Sequence, residues 1–229
     1  MYDKVQATEE FNRWSKGYDR SVLQWMLFDP THRAMLARLE ERFSGRPARL
    51  LDIGCGTGKF IERIRSALPR ASVWGVDLVG PMLRQGMHRW DRHRASVLPI
   101  QADSEHLPFA DGQFDAITCA HSFHHYPDQA RAVAEMYRVL RPGGRLILVD
   151  GHRDWIWGWF IYDVCVAFRE GAVHHCSARR FRDLTESAGF EPAEQEVRWG
   201  LAPYIINEAQ KPLAKPILRM DEHTRRAVA

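Results

Sequence analysis

The residues best placed to do chemistry are three glycines and three acids. Gly54, Gly56 and Gly58 lie in the run Leu50-Leu51-Asp52-Ile53-Gly54-Cys55-Gly56-Thr57-Gly58, where an apolar strand enters a glycine-rich turn that opens a helix. Glycine tolerates positive φ and lets a backbone come close to a ligand. The spacing is G-x-G-x-G, not the G-x-G-x-x-G whose turn offers a helix N-terminus to a pyrophosphate. Asp52, two residues ahead of the first glycine, would repel a pyrophosphate and suits an ammonium group. That argues for a cofactor bearing an amino acid. Asp77 ends the next apolar run, about twenty residues on, where a carboxylate can accept both hydroxyls of a ribose. Asp103 ends the third, placed either to accept from an adenine amino group or to start a turn.

Histidines and aromatics form the second set. His121, His124 and His125 follow a fourth apolar run at i, i+3, i+4. Neutral imidazoles at that spacing can bind zinc. The expectation is nevertheless no metal, with the trio packed around the cofactor loop and His121 as a candidate general base. His174-His175-Cys176 has metal-like residue types, but adjacent residues rarely converge on one ion, so a substrate-facing His174 or His175 is expected instead. Trp155, Trp157, Trp159, Phe160, Tyr162 and Phe168 crowd the stretch after the fifth apolar run. They read as a packed cap or as a lid whose inner face makes an apolar acceptor pocket, with Trp157, Trp159, His125 and His174 as its candidate lining. An interfacial membrane helix fits less well, because Asp154, Asp163 and Glu170 interrupt the stretch.

Alternating strands and helices must position these residues. Short apolar runs at 48–53, 72–76, 97–100, 114–119 and 145–149 read as buried strands, and 59–68, the stretch after Pro81, and 131–140 read as helices. Alternation of this kind predicts a parallel sheet with helices on both faces and ligands at the carboxyl ends of the strands. Residues 8–43 read as helices broken at Asp29-Pro30. Residues 178–188 read as a helix, 194–199 and 202–206 as a final strand pair, and the tail from Lys211 as loosely held.

The segments LLDIGCGTGKF, VWGVDLVGPML, QADSEHLPF, FDAITCAHSFHHYPD and VLRPGGRLILVD, taken in order, resemble the motifs of class I S-adenosylmethionine-dependent methyltransferases. The most similar branch includes the ubiquinone/menaquinone biosynthesis methyltransferases. The resemblance is strong from about Leu50 to Asp150. It implies a doubly wound α/β fold with a seven-stranded, mostly parallel sheet whose last strand is antiparallel, a helical N-terminal cap over 1–46, a cofactor-binding core over 47–150, a lid over 151–177 and a C-terminal part of the sheet beyond it, all in one domain. It also implies site roles: Gly54, Gly56 and Gly58 under the methionine part of S-adenosylmethionine, Asp52 near its amino group, and Asp77 on the ribose. Leu78 and Met82 would sandwich the adenine, with Asp103 and Ser104 at its edge. Ala120 would lie against the sulfonium, and Tyr18 would close over the carboxylate. Quinone O-methyltransferases carry acids and a histidine after the fourth strand, associated with a metal; here only His125 matches that pattern.

The function expected is methyl transfer to a small apolar or aromatic acceptor. Alternatives are a lipid- or RNA-directed methyltransferase, a nucleotide-cofactor oxidoreductase, or a binding protein that has lost its chemistry. A formal charge of +3 on 229 residues is too mild to imply nucleic acid, and the basic run Arg84, His88, Arg89, Arg92, His93, Arg94 reads as a solvated helix face. The four cysteines form no C-x-x-C pair, no stretch reaches the ~18 apolar residues of a spanning helix, and the N-terminus lacks a signal-peptide core. A cytoplasmic monomer or homodimer is expected, without stable membrane insertion.

Overall fold

The computed structural model describes residues 22–90, 97–166, 173–199 and 202–213. In chain order the elements are helix α1 (Val22–Phe43), strand β1 (Ala48–Ile53), α2 (Lys59–Ala67), β2 (Ala71–Asp77), α3 (Gly80–Trp90), β3 (Val97–Gln101) and β4 (Phe114–Ala120). A single 3₁₀ turn (Phe123–His125) leads to α4 (Gln129–Val139) and β5 (Leu140–Gly151). A short α5 (Ile156–Trp159) widens into a π-helical stretch (Phe160–Val166), and α6 (Ala178–Ser187), β6 (Glu194–Arg198) and β7 (Tyr204–Gln210) complete the fold.

The seven strands form one sheet in the order β3-β2-β1-β4-β5-β7-β6. β1 pairs in parallel with β2 and β4, β2 with β3, and β4 with β5, while β7 runs antiparallel to both β5 and β6. β1, β4 and β5 are nearly continuous apolar runs because both faces are covered, the usual state of a parallel sheet. Leu51, Ile53, Ile117, Cys119, Leu146 and Leu148 pack on the α4/α6 face, and Leu50, Ala116, Ile147 and Val149 pack on the α1/α2 face. The chain builds outward through β1, β2 and β3 and then returns to lay β4 beside β1. The crevice between the carboxyl ends of β1 and β4 is therefore the switch point where an open α/β sheet binds ligands.

Three local features differ from the expectations. α1 runs without a break through Pro30. Proline costs the helix one N–H donor; within the helix the Thr31 hydroxyl donates to the Phe28 carbonyl at 2.8 Å and Arg33 pairs with Asp29, and from α2 Arg63 pairs with Asp29 as well. The fifth strand, expected over 145–149, begins at Leu140, with Arg141-Pro142-Gly143-Gly144 as a bulge within β5 where the register against β4 jumps from Phe114↔Leu140 to Ala116↔Arg145. Lys211 is also firmly tied, its ammonium donating to the carbonyls of Tyr137 and Leu140 at 2.7 Å each. Tyr18, Phe168 and the side chains of His88, Arg89, Arg92, His93 and Arg94 lie outside the described residues.

Candidate active site

The turn between β1 and α2 has positive φ at each of its glycines: Gly54, Gly56 and Gly58 have φ of 69°, 54° and 73°. Only glycine takes these values without strain. The turn is tied to β2, with the Gly54 and Cys55 amides both donating to the Val76 carbonyl (2.8 and 3.0 Å). The surroundings of Gly54 and Gly56 differ. A Cβ on Gly54 would stand 2.1 Å from the Ser122 hydroxyl, whereas a Cβ on Gly56 would meet only the Met82 methyl, at 3.7 Å. The Gly56 backbone therefore borders open space beside Met82, a cradle that a side chain would fill.

Two of the expected acids converge on this turn. Asp77 accepts from the Gly56 amide through Oδ2 and from the Val79 amide through Oδ1, both at 2.8 Å. It thus clamps the turn to the end of β2 and keeps further lone pairs on both oxygens. Asp52 is 3% exposed and accepts the Thr118 hydroxyl at 2.7 Å. Burial, reinforced by neighbouring Asp77, raises its pKa to about 7, although Thr118 opposes the shift. A buried carboxyl poised in this way gains most from a cationic partner. Met82 is buried and Leu78 half-buried at the start of α3, while Asp103, accepting from the Glu105 amide at 3.0 Å, and buried Ser104 follow β3. These residue types fit a nucleoside with an amino-acid arm: small backbone under the arm, acids for its ammonium and ribose, and apolar side chains for a flat base.

On the β4 side the three histidines separate. His121 is the only non-glycine with positive φ (50°) among the described residues. Its Nε2 lies 3.1 Å from the Thr31 hydroxyl, and its ring meets Phe28 edge-on. Ala120 and His125 are half-buried, and the His125 ring centroid is 4.1 Å from that of His124. His124 turns the other way, to the end of β5. Its Nδ1 lies 2.7 and 2.9 Å from the two carboxylate oxygens of Asp150, whose Oδ2 also accepts the His124 amide at 3.0 Å. His175, from the segment after the lid, brings its Nδ1 to 3.6 Å from Asp150 Oδ1. All three side chains are at most 6% exposed. Burial pushes the Asp150 pKa up, but His124 and His175 outweigh it and hold the carboxyl well below its usual range. Burial holds the His175 imidazole below its usual range.

This cluster was not anticipated from the sequence. In the sequence, spacing groups His124 with His121 and His125, Asp150 belongs to no chemical motif, and His174 and His175 are adjacent and alike. The available signal was Asp150 itself, a carboxylate closing the buried run Leu146–Val149 at the ligand-binding end of the sheet. His174 is exposed, and it is its amide that reaches the His124 carbonyl, at 2.8 Å. In the lid, Trp157 and Trp159 are 45% and 49% exposed, and Trp157 stacks on Phe160. The inward aromatic is Tyr162, 5% exposed, packed against Gly151 with its ring 5.0 Å from His175.

A methyltransferase-domain family matches residues 51–148. The chain is 35% identical over 151 residues to a demethylmenaquinone methyltransferase of Deinococcus radiodurans, covering 65% of this chain and 61% of that protein. It is 31% identical over 194 residues to a ubiquinone/menaquinone biosynthesis C-methyltransferase of Burkholderia mallei, covering 82% and 79%. The chain thus spans less than two thirds of the length of the Deinococcus relative. Among solved structures it is similar to a magnesium protoporphyrin IX methyltransferase of Synechocystis PCC 6803, with a TM-score of 0.74 and 18% identity over 91% of this chain and 100% of that one, a likeness of fold.

Proposed function

This chain belongs to the class I S-adenosylmethionine-dependent methyltransferases, and on that premise we propose that it methylates a ring carbon of a flat, apolar hydroquinone-type acceptor. The observation that carries the reading is the convergence, on the two sides of one switch point, of the Gly54–Gly58 turn with its acids and the buried His124–Asp150–His175 cluster. The acceptor class is supported by the named relatives, which act on quinones.

When bound, S-adenosylmethionine supplies a methyl group on a sulfonium that is already a good electrophile. The work left to the protein is alignment, exclusion of water and handling of the acceptor's proton. Alignment of two reactants is worth up to ~7–11 kcal/mol. Gly54, Gly56 and Gly58 let backbone run under the methionine arm, Asp52 meets its ammonium, Asp77 takes the ribose hydroxyls, and Ala120 leaves room near the sulfur. Leu78 and Met82 enclose the adenine, with Asp103 and Ser104 at its edge. Tyr162 is the lid aromatic that turns toward the acceptor side, and Trp157, Trp159, His125 and His174 are proposed to complete its rim. A phenolic hydroxyl has a pKa near ~10, so ionising it at pH 7 costs about 4 kcal/mol. A ring carbon becomes a strong nucleophile only once that proton has gone. We assign its removal to the His124–Asp150–His175 cluster, because a buried carboxylate stands behind the imidazoles there, whereas His121 faces the Thr31 hydroxyl.

The test is transfer of labelled methyl from S-adenosylmethionine to reduced demethylmenaquinone, with the product read by mass spectrometry and NMR. Label on a ring carbon is expected. Label on oxygen, or no transfer by protein that still binds S-adenosylhomocysteine, overturns the acceptor assignment.

Two predictions concern the cofactor residues. Asp77→Ala should weaken S-adenosylhomocysteine binding by about 1.5–3 kcal/mol, the range of charge-assisted hydrogen bonds; unchanged calorimetric affinity in a folded variant would refute the ribose role. Asp52 predicts a pH dependence. Its folded pKa, about 7, is above the unfolded value, so the apo protein holds an extra proton between the two and loses stability as pH rises through that window. Binding an ammonium requires that proton to leave. Affinity for S-adenosylhomocysteine should therefore climb with pH, at most about tenfold per unit, and level off above pH 7. Asp52→Asn should flatten the climb, and a profile identical in both proteins would separate Asp52 from the ammonium.

A further inference from the structure

We propose that His124, Asp150 and His175 form a binding site for one divalent transition-metal ion, of the zinc, iron(II) or manganese(II) class. The inference deepens the proposed function, on which its catalytic role rests, but the site itself is argued from geometry alone.

Three ligands from three separate segments meet here: an imidazole after β4, a carboxylate at the end of β5 and an imidazole beyond the lid. Their ligating atoms all lie within 4.8 Å of one another. Two imidazoles and one carboxylate is a donor set that suits these ions, and three protein ligands leave a position open. The carboxylate is already oriented, because the Gly151 amide donates to Oδ1 at 2.8 Å and the His124 amide to Oδ2 at 3.0 Å. Backbone donors of this kind are the outer support that holds a metal-ligating carboxylate in place.

His175 supplies the observation that hydrogen bonding does not explain. Its side chain is 1% exposed, and neither ring nitrogen has a hydrogen-bond partner among the described residues, Nδ1 stopping 3.6 Å from Asp150. Buried polar atoms in native proteins nearly always have a partner. Asp150, 1% exposed, holds its carboxylate where water is excluded, met by the His124 imidazole and two backbone amides. A cation among the three side chains gives His175 a partner and takes the place of the His124 proton beside Asp150. On binding it displaces the Nδ1 proton of His124 to solvent, as ligation of a protonated imidazole requires.

Tyr162, its ring 5.0 Å from that of His175, lines the site. His124, Asp150 and His175 would hold the cation, which would supply Lewis-acid chemistry to an acceptor hydroxyl whose proton would leave to the medium. No electrons move, and no co-reactant is needed.

The experiment uses the full chain without a polyhistidine tag, stripped with chelator and titrated with cobalt(II) as the probe. One equivalent per chain should bind at micromolar or tighter affinity, with the visible absorption of a four- or five-coordinate ion, and zinc should displace it. His175→Gln and Asp150→Asn should each weaken binding at least tenfold. Absence of a cobalt spectrum in folded wild-type protein overturns the proposal, as does unchanged affinity in a folded His175→Gln variant. Should either variant fail to fold, X-ray absorption on the cobalt-loaded wild type decides: two imidazole ligands support the site, and none refutes it. Calorimetry with S-adenosylhomocysteine on the same samples keeps the two readings separate. Cofactor binding without metal leaves methyl transfer standing, with the cluster as a plain proton acceptor. Metal without cofactor binding leaves the site standing and removes the proposed function.

Discussion

Gly56→Val is expected to abolish cofactor binding while leaving a folded protein. Gly56 sits at φ 54°, and a Cβ there meets nothing closer than the Met82 methyl at 3.7 Å. The apo protein can therefore hold the new side chain at the cost of left-handed strain, on the order of 1–2 kcal/mol and more for a β-branched residue. On the proposed placement the bound cofactor could not be accommodated, because the isopropyl group would occupy the face along which its methionine arm would lie. A loss of at least about 100-fold in S-adenosylhomocysteine affinity, ~2.7 kcal/mol, should appear by calorimetry. Gly54→Val provides the contrast: its Cβ would stand 2.1 Å from the Ser122 hydroxyl, so that variant should lose stability first. Normal affinity in folded Gly56→Val protein would mean that this turn is not where the cofactor lies.

Asp150→Asn should do the reverse, sparing the cofactor and removing turnover. The carboxylate accepts from His124 Nδ1 and from the amides of His124 and Gly151, and it faces His175. An amide of the same shape keeps one acceptor oxygen and sets an NH₂ group among donors. The imidazoles lose the anion that orients them, and removing one partner of a buried charged pair typically costs ~3–5 kcal/mol. Proton transfer by a positioned group is worth ~10²–10⁴-fold, so kcat should fall by that order. Cofactor affinity should stay within about twofold, since Asp150 stands at the end of β5 and the glycine turn follows β1. Unchanged kcat with the quinol acceptor would exclude the cluster from the chemistry. A thermal scan beside the kinetics distinguishes lost turnover from lost fold.

The cofactor half of the site was legible because its information is local. Gly54, Gly56 and Gly58 fall within five residues, and their backbone φ follows from residue type. Asp52 and Asp77 are tied to the same turn by adjacency and by the parallel pairing of β1 with β2, which sets Asp52 beside Gly75 and the end of β2 beside the turn. The alternation of apolar runs with helical periods carried the sheet and its switch point for the same reason, since each run reports its own burial.

The acceptor half was not legible, because its members share no sequence neighbourhood. Asp150 lies 26 residues beyond His124, with α4 and β5 between them, and His175 follows the lid. Spacing made His121, His124 and His125 look like one group, yet a left-handed residue at 121 and the 3₁₀ turn after it send His121 to Thr31 and His124 to Asp150. Pro30 shows the same limit in part: the local sequence marks a break there, while the helix continues through it and Asp29 pairs with Arg63 on α2, a partner remote in sequence. By itself the sequence determined the strands, the left-handed turn and the acids that ride on it, because backbone preference and burial period are properties of short segments. Only the tertiary structure decided which histidines share a carboxylate and that Tyr162 is the lid aromatic turned inward, because those pairings depend on how β4, β5 and the lid pack, and no short segment encodes that.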